Sequence, residues 1–199
     1  MYEVEATGSL LLMVEQSPTP TATAARPAPD RGAHVSLVEA VQTGDREAFG
    51  QLYRLFAPMV HGILLARVPF DEVDDLVQDV FLLAFKKLHT LRDSAAFGGW
   101  LAMITRNHAM TFHRRSRRSE ELTEELAHTS GAASEAAEVL SVIRSLPEAY
   151  RETLILRLVE GMTGPEIAER TGLMPDSVRV NLHRGMKLLR EKLRGEEVR

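Results

Sequence analysis

Apolar residues recur at helical spacing through two long stretches of the chain, with unpatterned polar sequence before and between them. In the first stretch, Val35, Leu37, Val38 and Val41 open a helix that Gly44-Asp45 breaks. Phe49, Leu52, Tyr53, Phe56, Val60, Ile63 and Leu64 predict a second helix over about 46–67, with Pro58 a candidate kink and Val68-Pro69-Phe70 its end. Asp71 is read as the N-cap of a third helix over about 72–89. Its apolar face carries Val73, Leu76, Val77, Val80, Phe81, Ala84 and Leu88, and its polar face Asp75, Gln78, Asp79 and Lys86. After a short polar loop at 90–96, a fourth helix starts near Phe97, includes Trp100, read as core, and runs into Arg114, Arg115, Arg117 and Arg118.

In the second stretch, Val139, Leu140, Val142, Ile143 and Leu146 share a helix face. Pro147 is expected in the first turn of the next helix, which runs to about Glu160 and stops at Gly161. A short helix follows near 165–170, a turn at Thr171-Gly172, and a long helix over about 175–193. No segment alternates with a period of two over a useful length. The predicted fold class is therefore all-α: two small helical domains, at 34–118 and 137–195, joined by a flexible acidic linker at 119–136. Residues 1–33, with Pro18, Pro20, Pro27 and Pro29 among Thr, Ala and Ser, are read as a disordered arm. Around the linker, Glu120, Glu121, Glu124, Glu125, Glu135 and Glu138 occur with no Lys or Arg.

Composition narrows the function. The 199 residues include no Cys, which removes disulfides, thiol catalysis and thiolate metal sites. The apolar run Leu10–Val14 is too short to span a bilayer, and Glu3 and Glu5 precede it without Lys or Arg. A soluble, cytoplasmic protein without membrane insertion is expected. The net charge of −4 argues against bulk nucleic-acid binding, but it averages over strongly segregated charge.

Two basic regions stand out. Thr163 to Leu173 has the grammar of a helix-turn-helix: Thr163 can cap the first helix, Ile167 and Ala168 face inward, and Gly172 suits the turn. The helix after it carries Arg179, Arg184, Lys187, Arg190, Lys192 and Arg194 against Asp176 and Glu191, with Val178, Leu182, Leu188 and Leu189 on its inner side. Such a helix fits a major groove, or is a solvated basic face. The fourth helix carries Arg106, Arg114, Arg115, Arg117 and Arg118 with no acid between Met103 and Ser119, and with His108, Phe112 and His113 interleaved. This suits phosphates and unpaired bases. Leu82, beside Phe85, lies amid the acids of the third helix; it is either a docking patch for a basic protein surface or one stray Leu on a solvated face. The acids at 71, 72, 74, 75 and 79 diverge from one helix, so no metal site is read there. No H-E-x-x-H, G-x-S-x-G or phosphate-cradling Gly loop is present, so no catalytic residue, metal or cofactor is expected.

Four segments together carry a family resemblance. Asp74-Asp75-Leu76-Val77-Gln78-Asp79-Val80-Phe81 resembles the second conserved helix of bacterial sigma factors of the sigma-70 family. Phe97-Gly98-Gly99-Trp100-Leu101-Ala102-Met103-Ile104-Thr105-Arg106-Asn107 resembles the promoter −10 helix of its extracytoplasmic-function (ECF) group. Leu146-Pro147-Glu148-Ala149-Tyr150-Arg151 opens the C-terminal domain as in that group, and Ser177-Val178-Arg179 with Leu182-His183-Arg184 is similar to its −35 recognition helix. The resemblance covers about residues 35–194.

It implies a specificity subunit of RNA polymerase that is not itself an enzyme. Its partners would be core RNA polymerase, through the largest-subunit coiled coil and the flap, promoter DNA and an anti-sigma factor. Asp75, Gln78, Asp79 and Leu82 would face the polymerase coiled coil. Leu91, Arg92, Asp93 and Ser94, with Asn107 and His108, would hold a flipped −10 base, and Arg114, Arg115, Arg117 and Arg118 would grip phosphates. Ser177, Arg179, Val180, His183, Arg184 and Lys187, supported by Arg157, would approach the −35 element. The acidic linker would run along the RNA exit path as a nucleic-acid mimic. Val180 and Asn181 depart from the family's small polar and basic residues, Gly164-Pro165 from its usual helix formers, and Gly98-Gly99 and Gly185 are weak points within helices. Two other readings compete: a stand-alone helix-turn-helix regulator whose first domain senses a ligand or dimerises, and a metal-dependent nuclease.

Overall fold

A computed structural model describes residues 33–120 and 135–196. They form eight helices and, among the described residues, no strand: α1 (Ala33–Gln42), α2 (Arg46–Leu65), α3 (Val73–Lys87), α4 (Phe97–Glu120), α5 (Glu135–Arg144), α6 (Glu148–Leu158), α7 (Gly164–Thr171) and α8 (Pro175–Glu196). The arm to residue 32 and the acids of the linker at 121–134 lie outside the described residues. None of the described helices is long and apolar enough to cross a membrane.

Local chemistry sets most boundaries. Gly44, at φ +105°, turns the chain, and the Asp45 carboxylate accepts from the amides of Glu47 and Ala48 at 2.8 and 3.1 Å, capping α2. α2 runs on through Pro58 to Leu65. Asp71 does not cap α3, contrary to expectation. Pro69 (φ −54°, ψ 149°) starts a 3-10 turn at Phe70–Glu72, so Asp71 already lies within helical backbone and lacks the extended geometry of a cap. A second 3-10 turn, Leu88–Thr90, ends α3, and a third, Ser94–Ala96, leads into α4 with Asp93 accepting from the Ala95 amide at 3.0 Å. Pro147 sits one position before the expected first turn: at ψ 143° it is the N-cap of α6. That helix ends at Leu158, short of Glu160, and Gly161 turns at φ +67°.

In α7 the expected cap forms as a full capping box: the Thr163 amide donates to Glu166 Oε2 at 2.8 Å, and the Thr163 hydroxyl accepts from the Glu166 amide at 3.4 Å. Gly172 closes α7 at φ +71°, donating its amide to the Ala168 carbonyl at 3.0 Å.

The first half packs Leu52, Phe56, Met59 and Ile63 of α2 against Val80 and Phe81 of α3 and Phe97 and Leu101 of α4. Trp100 is partly buried beside this core, 5.9 Å from Phe97 ring to ring. In the second half, Ile143, Leu154, Ile155, Ile167, Val178 and Leu189 are buried. Fully burying each such side chain contributes about 1.5–3 kcal/mol. The two halves share one continuous apolar cluster, with α2 against α6 and α7, and α4 against α7. Gly62 fits this contact because Leu156 and Glu160 leave no room for a larger residue without moving: a Cβ there would meet Leu156 Cδ2 at 2.7 Å.

Candidate functional site

The predicted polymerase-facing residues form one exposed stripe. Asp75, Gln78, Asp79 and Leu82 are spaced by three or four residues along α3, while the reverse side of the helix is buried. Leu82 is 58% exposed, too open to be core, and Phe85 continues the stripe at 44%. Phe85 is braced from below: its ring lies 4.8 Å from Phe49, which in turn meets Phe81 at 6.3 Å. Among the described residues no three His, Asp or Glu converge on a point that could hold a metal.

The loop after α3 is pinned rather than loose. Gln42 of α1 donates to the carbonyls of Leu88 and Leu91 at 3.1 and 2.9 Å, fixing the start of the loop while Arg92 and Asp93 stay exposed and Ser94 is half-buried. Asn107 is exposed on α4, between exposed Met103 and Met110 at helical spacing. His108 is half-buried, its Nε2 3.6 Å from Asp79 Oδ2, which links the −10 candidates to the α3 stripe. Arg114 and Arg115 are exposed; the side chains of Arg117 and Arg118 lie outside the described residues. Arg106 departs from the reading of an uncompensated basic run, because Glu152 of α6 pairs with it at 2.7 Å.

On α8, Ser177, Arg179, Val180, His183, Arg184 and Lys187 are all exposed, opposite buried Val178 and Leu189. Arg179 pairs with Asp176 at 3.2 Å and Lys187 with Glu191 at 4.0 Å, exposed contacts of the kind that contribute little and yield readily to another anion. Arg157 is exposed at the end of α6 and donates to the Met162 carbonyl at 3.2 Å, holding the loop before α7. Gly185, a weak point by propensity, is buried where α8 crosses α6: a Cβ would lie 3.1 Å from both Leu154 and Tyr150. A mostly apolar groove of about 670 Å³ opens between α7 and α8, lined by Ala168, Leu173, Val178 and Leu182.

Comparison with known proteins accounts for both halves. The family model for Sigma-70 region 2 matches residues 52–119, and that for Sigma-70, region 4 matches residues 136–189. The ECF RNA polymerase sigma-E factor of Escherichia coli (strain K12) is 30% identical over 176 residues, covering 79% of this chain and 92% of that protein. This chain belongs to the sigma-70 family, in its ECF group. The ECF RNA polymerase sigma-E factor of Haemophilus influenzae is 29% identical over 177 residues, 79% of this chain and 94% of that protein. The structure of CnrH in complex with the cytosolic domain of CnrY matches with a TM-score of 0.59 and 28% identity, over 82% of this chain and 98% of that one. The sigma factor RpoE of Bartonella quintana, solved with the anti-sigma factor NepR, shares the fold at a TM-score of 0.52 and 20% identity, over 73% of this chain and 96% of that one.

As a sigma factor, the chain partners core RNA polymerase and promoter DNA in transcription initiation, within a family of non-catalytic polymerase subunits. The region 2 match assigns the first half, which the stand-alone regulator reading left as a sensing or dimerising bundle. Two features of this sigma factor escape sequence reasoning. Exposed Met103 and Met110 look like core residues by composition, and only their helix phase beside Asn107 marks them as surface. The pairing of Glu152 with Arg67 and Arg106 joins residues far apart in the chain, with no local signal.

Proposed function

We propose that this sigma factor anchors on the coiled coil of the largest polymerase subunit through Asp75, Gln78, Asp79 and Leu82, and reads promoters with two separate surfaces. Leu91, Arg92, Asp93 and Ser94 with Asn107 and His108 capture an extruded −10 base, and Arg114, Arg115, Arg117 and Arg118 hold the flanking phosphates. Extrusion costs a few kcal/mol, which a pocket of fixed contacts offsets. The anchoring of the loop by Gln42 supports that role, since a pre-set loop loses less entropy on binding. On α8, Ser177, Arg179, Val180, His183, Arg184 and Lys187 face the −35 element, with Arg157 behind them. The apolar groove between α7 and α8 is the surface offered to the flap.

The observation that carries this reading is the exposed stripe on α8, basic outside and packed inside, directly after a capped helix and a left-handed Gly172 turn. The working units are residues 34–118 and 137–195, with 119–136 as the connection. The chain has no catalytic activity of its own, works in the cytoplasm, and is held by an anti-sigma factor when idle. Permanganate footprinting for strand opening, with DNase I footprinting for −35 protection, on a promoter selected with the holoenzyme tests the division of labour. Alanine at Arg92, Asp93 and Asn107 together should abolish thymine reactivity at −10 while −35 protection persists. Loss of −35 protection, or unchanged opening, would refute it.

A further inference from the structure

The contact between the two halves contains a charge arrangement that packing alone does not call for. Glu152 of α6 is buried, and its carboxylate is held by two arginines of the other half. Arg106 of α4 approaches as a fork, Nε donating to Oε2 at 3.1 Å and Nη2 to Oε1 at 2.7 Å. Arg67, just beyond α2, brings Nη2 to 2.7 Å from Oε2 and also pairs with Glu148 at 2.9 Å. Burial alone would raise the Glu152 carboxyl, but the Arg106 hydrogen bonds and the two positive charges hold it below the ordinary carboxylate range.

Both cations belong to the first half, so that half supplies two arginines that converge on one anion, and the anion comes from the second half. A guanidinium fork fits carboxylate and phosphate alike. Arg106 stands next to Asn107 on the helix that continues to Arg114 and Arg115. The closed packing cannot span a promoter. A Cβ on Gly172 would lie 2.9 Å from Gly99 Cα, so the helix-turn-helix touches the start of α4. The −10 and −35 elements lie roughly 25 base pairs apart, about 85 Å of B-DNA at ~3.4 Å per pair. Reading both requires the halves to separate, and separation takes Glu152 off the arginines.

We propose that Arg67 and Arg106 form a binding site for a DNA backbone phosphate, and that Glu152 fills it in the closed chain, so that domain closure and DNA compete for the same two arginines. The inference rests on the promoter-reading function above. The chain has no cysteine, so Gln51→Cys and Glu191→Cys, both exposed and neither itself assigned to a binding surface, accept a dye pair at defined positions, Glu191 giving up only its 4.0 Å contact with Lys187 in every variant alike. Energy transfer reports separation. Anisotropy with a fluorescein-labelled, random-sequence 20-nucleotide single strand reports the phosphate site without polymerase.

Glu152→Gln should lower transfer and raise strand affinity about ten-fold, with a salt slope steeper by about 0.7 for each added phosphate contact. Adding Arg106→Gln should keep the separation and erase the affinity gain. Unchanged transfer in Glu152→Gln overturns the clasp. Separation without tighter binding, or a gain that survives Arg106→Gln, overturns the phosphate site. Circular dichroism checks each fold, and if Glu152→Gln unfolds, Gly98→Ala opens the contact sterically and is judged by the same two readouts. A chain that shows this competition yet fails to bind core polymerase would keep the anion site and lose the promoter-reading function.

Discussion

Alanine at Gly98 should push the two halves apart while making α4 a better helix. The added Cβ would stand 2.6 Å from the Arg170 carbonyl oxygen and 3.2 Å from its carbon and Cα. These are backbone atoms that cannot rotate aside, and ordinary contact begins at 3.4 Å, so α7 must withdraw by about 0.8 Å. Overpacking of this kind costs about 1–3 kcal/mol. The same substitution adds about 0.5–1 kcal/mol to the helix, because alanine loses less conformational freedom than glycine. That gain belongs to α4 in both the closed and the open chain, so it cancels from the equilibrium between them. Closure therefore feels the full clash, a drop of roughly 5- to 150-fold in the closed-to-open ratio. The dye pair at positions 51 and 191 should show lower transfer, with the helical content retained. Unchanged transfer with an intact fold would refute the reasoning, since it would mean that α7 yields at no cost.

Further substitutions probe the other surfaces. Leu82→Asp should weaken core polymerase binding at least ten-fold in a surface-binding assay, through lost apolar burial and a newly desolvated carboxylate, and leave the melting temperature unchanged because Leu82 is 58% exposed. Arg179→Ala should lower promoter affinity by about 1–3 kcal/mol in a gel-shift titration if it meets a base, with no loss of stability, since its partner Asp176 is exposed. Thr163→Ala removes the α7 cap and should lower stability by about 1 kcal/mol in denaturant melts. His61, bonded to Glu160 at 2.6 Å and near Asp74 of α3, has its pKa raised above 6.5 chiefly by the Glu160 hydrogen bond, against the opposing effect of burial. Its contribution is full below 6.5 and fades as pH rises through the folded value. Glu152 acts oppositely, losing its contribution as pH falls through its depressed value. Melting temperature should thus decline on the alkaline side in the native chain and flatten there in His61→Gln; a parallel decline in both would contradict this.

The helices were legible where their causes are local. The period of α3 and the Thr163 cap of α7 are written within a few residues and both form as their spacing implies, with Glu166 completing the cap as a box. Asp71 misled because a good capping residue followed Pro69, whose own geometry began a turn two residues earlier. Candidate site residues were legible by exposure on helix phase: Leu82 and Arg179 are as open as their spacing implies. The pairing of the halves was not. Arg106 looks uncompensated because its acid is 46 residues away, across the linker. Gly98 and Gly185 read as weak points in their helices, whereas a Cβ on Gly98 would collide with the Arg170 backbone at 2.6 Å and one on Gly185 would press on Leu154 and Tyr150 at 3.1 Å. Such tertiary demands leave no mark on local propensity.

A working sigma factor confers promoter choice on RNA polymerase. Purified bacterial core polymerase, mixed with this chain and a randomised promoter library in a run-off assay, tests it directly. We predict a stable complex and initiation from a selected set sharing one −35 and one −10 sequence, lost with Leu82→Asp. Sequence-selective DNA binding without polymerase, or a complex that initiates no better than core alone, would contradict it.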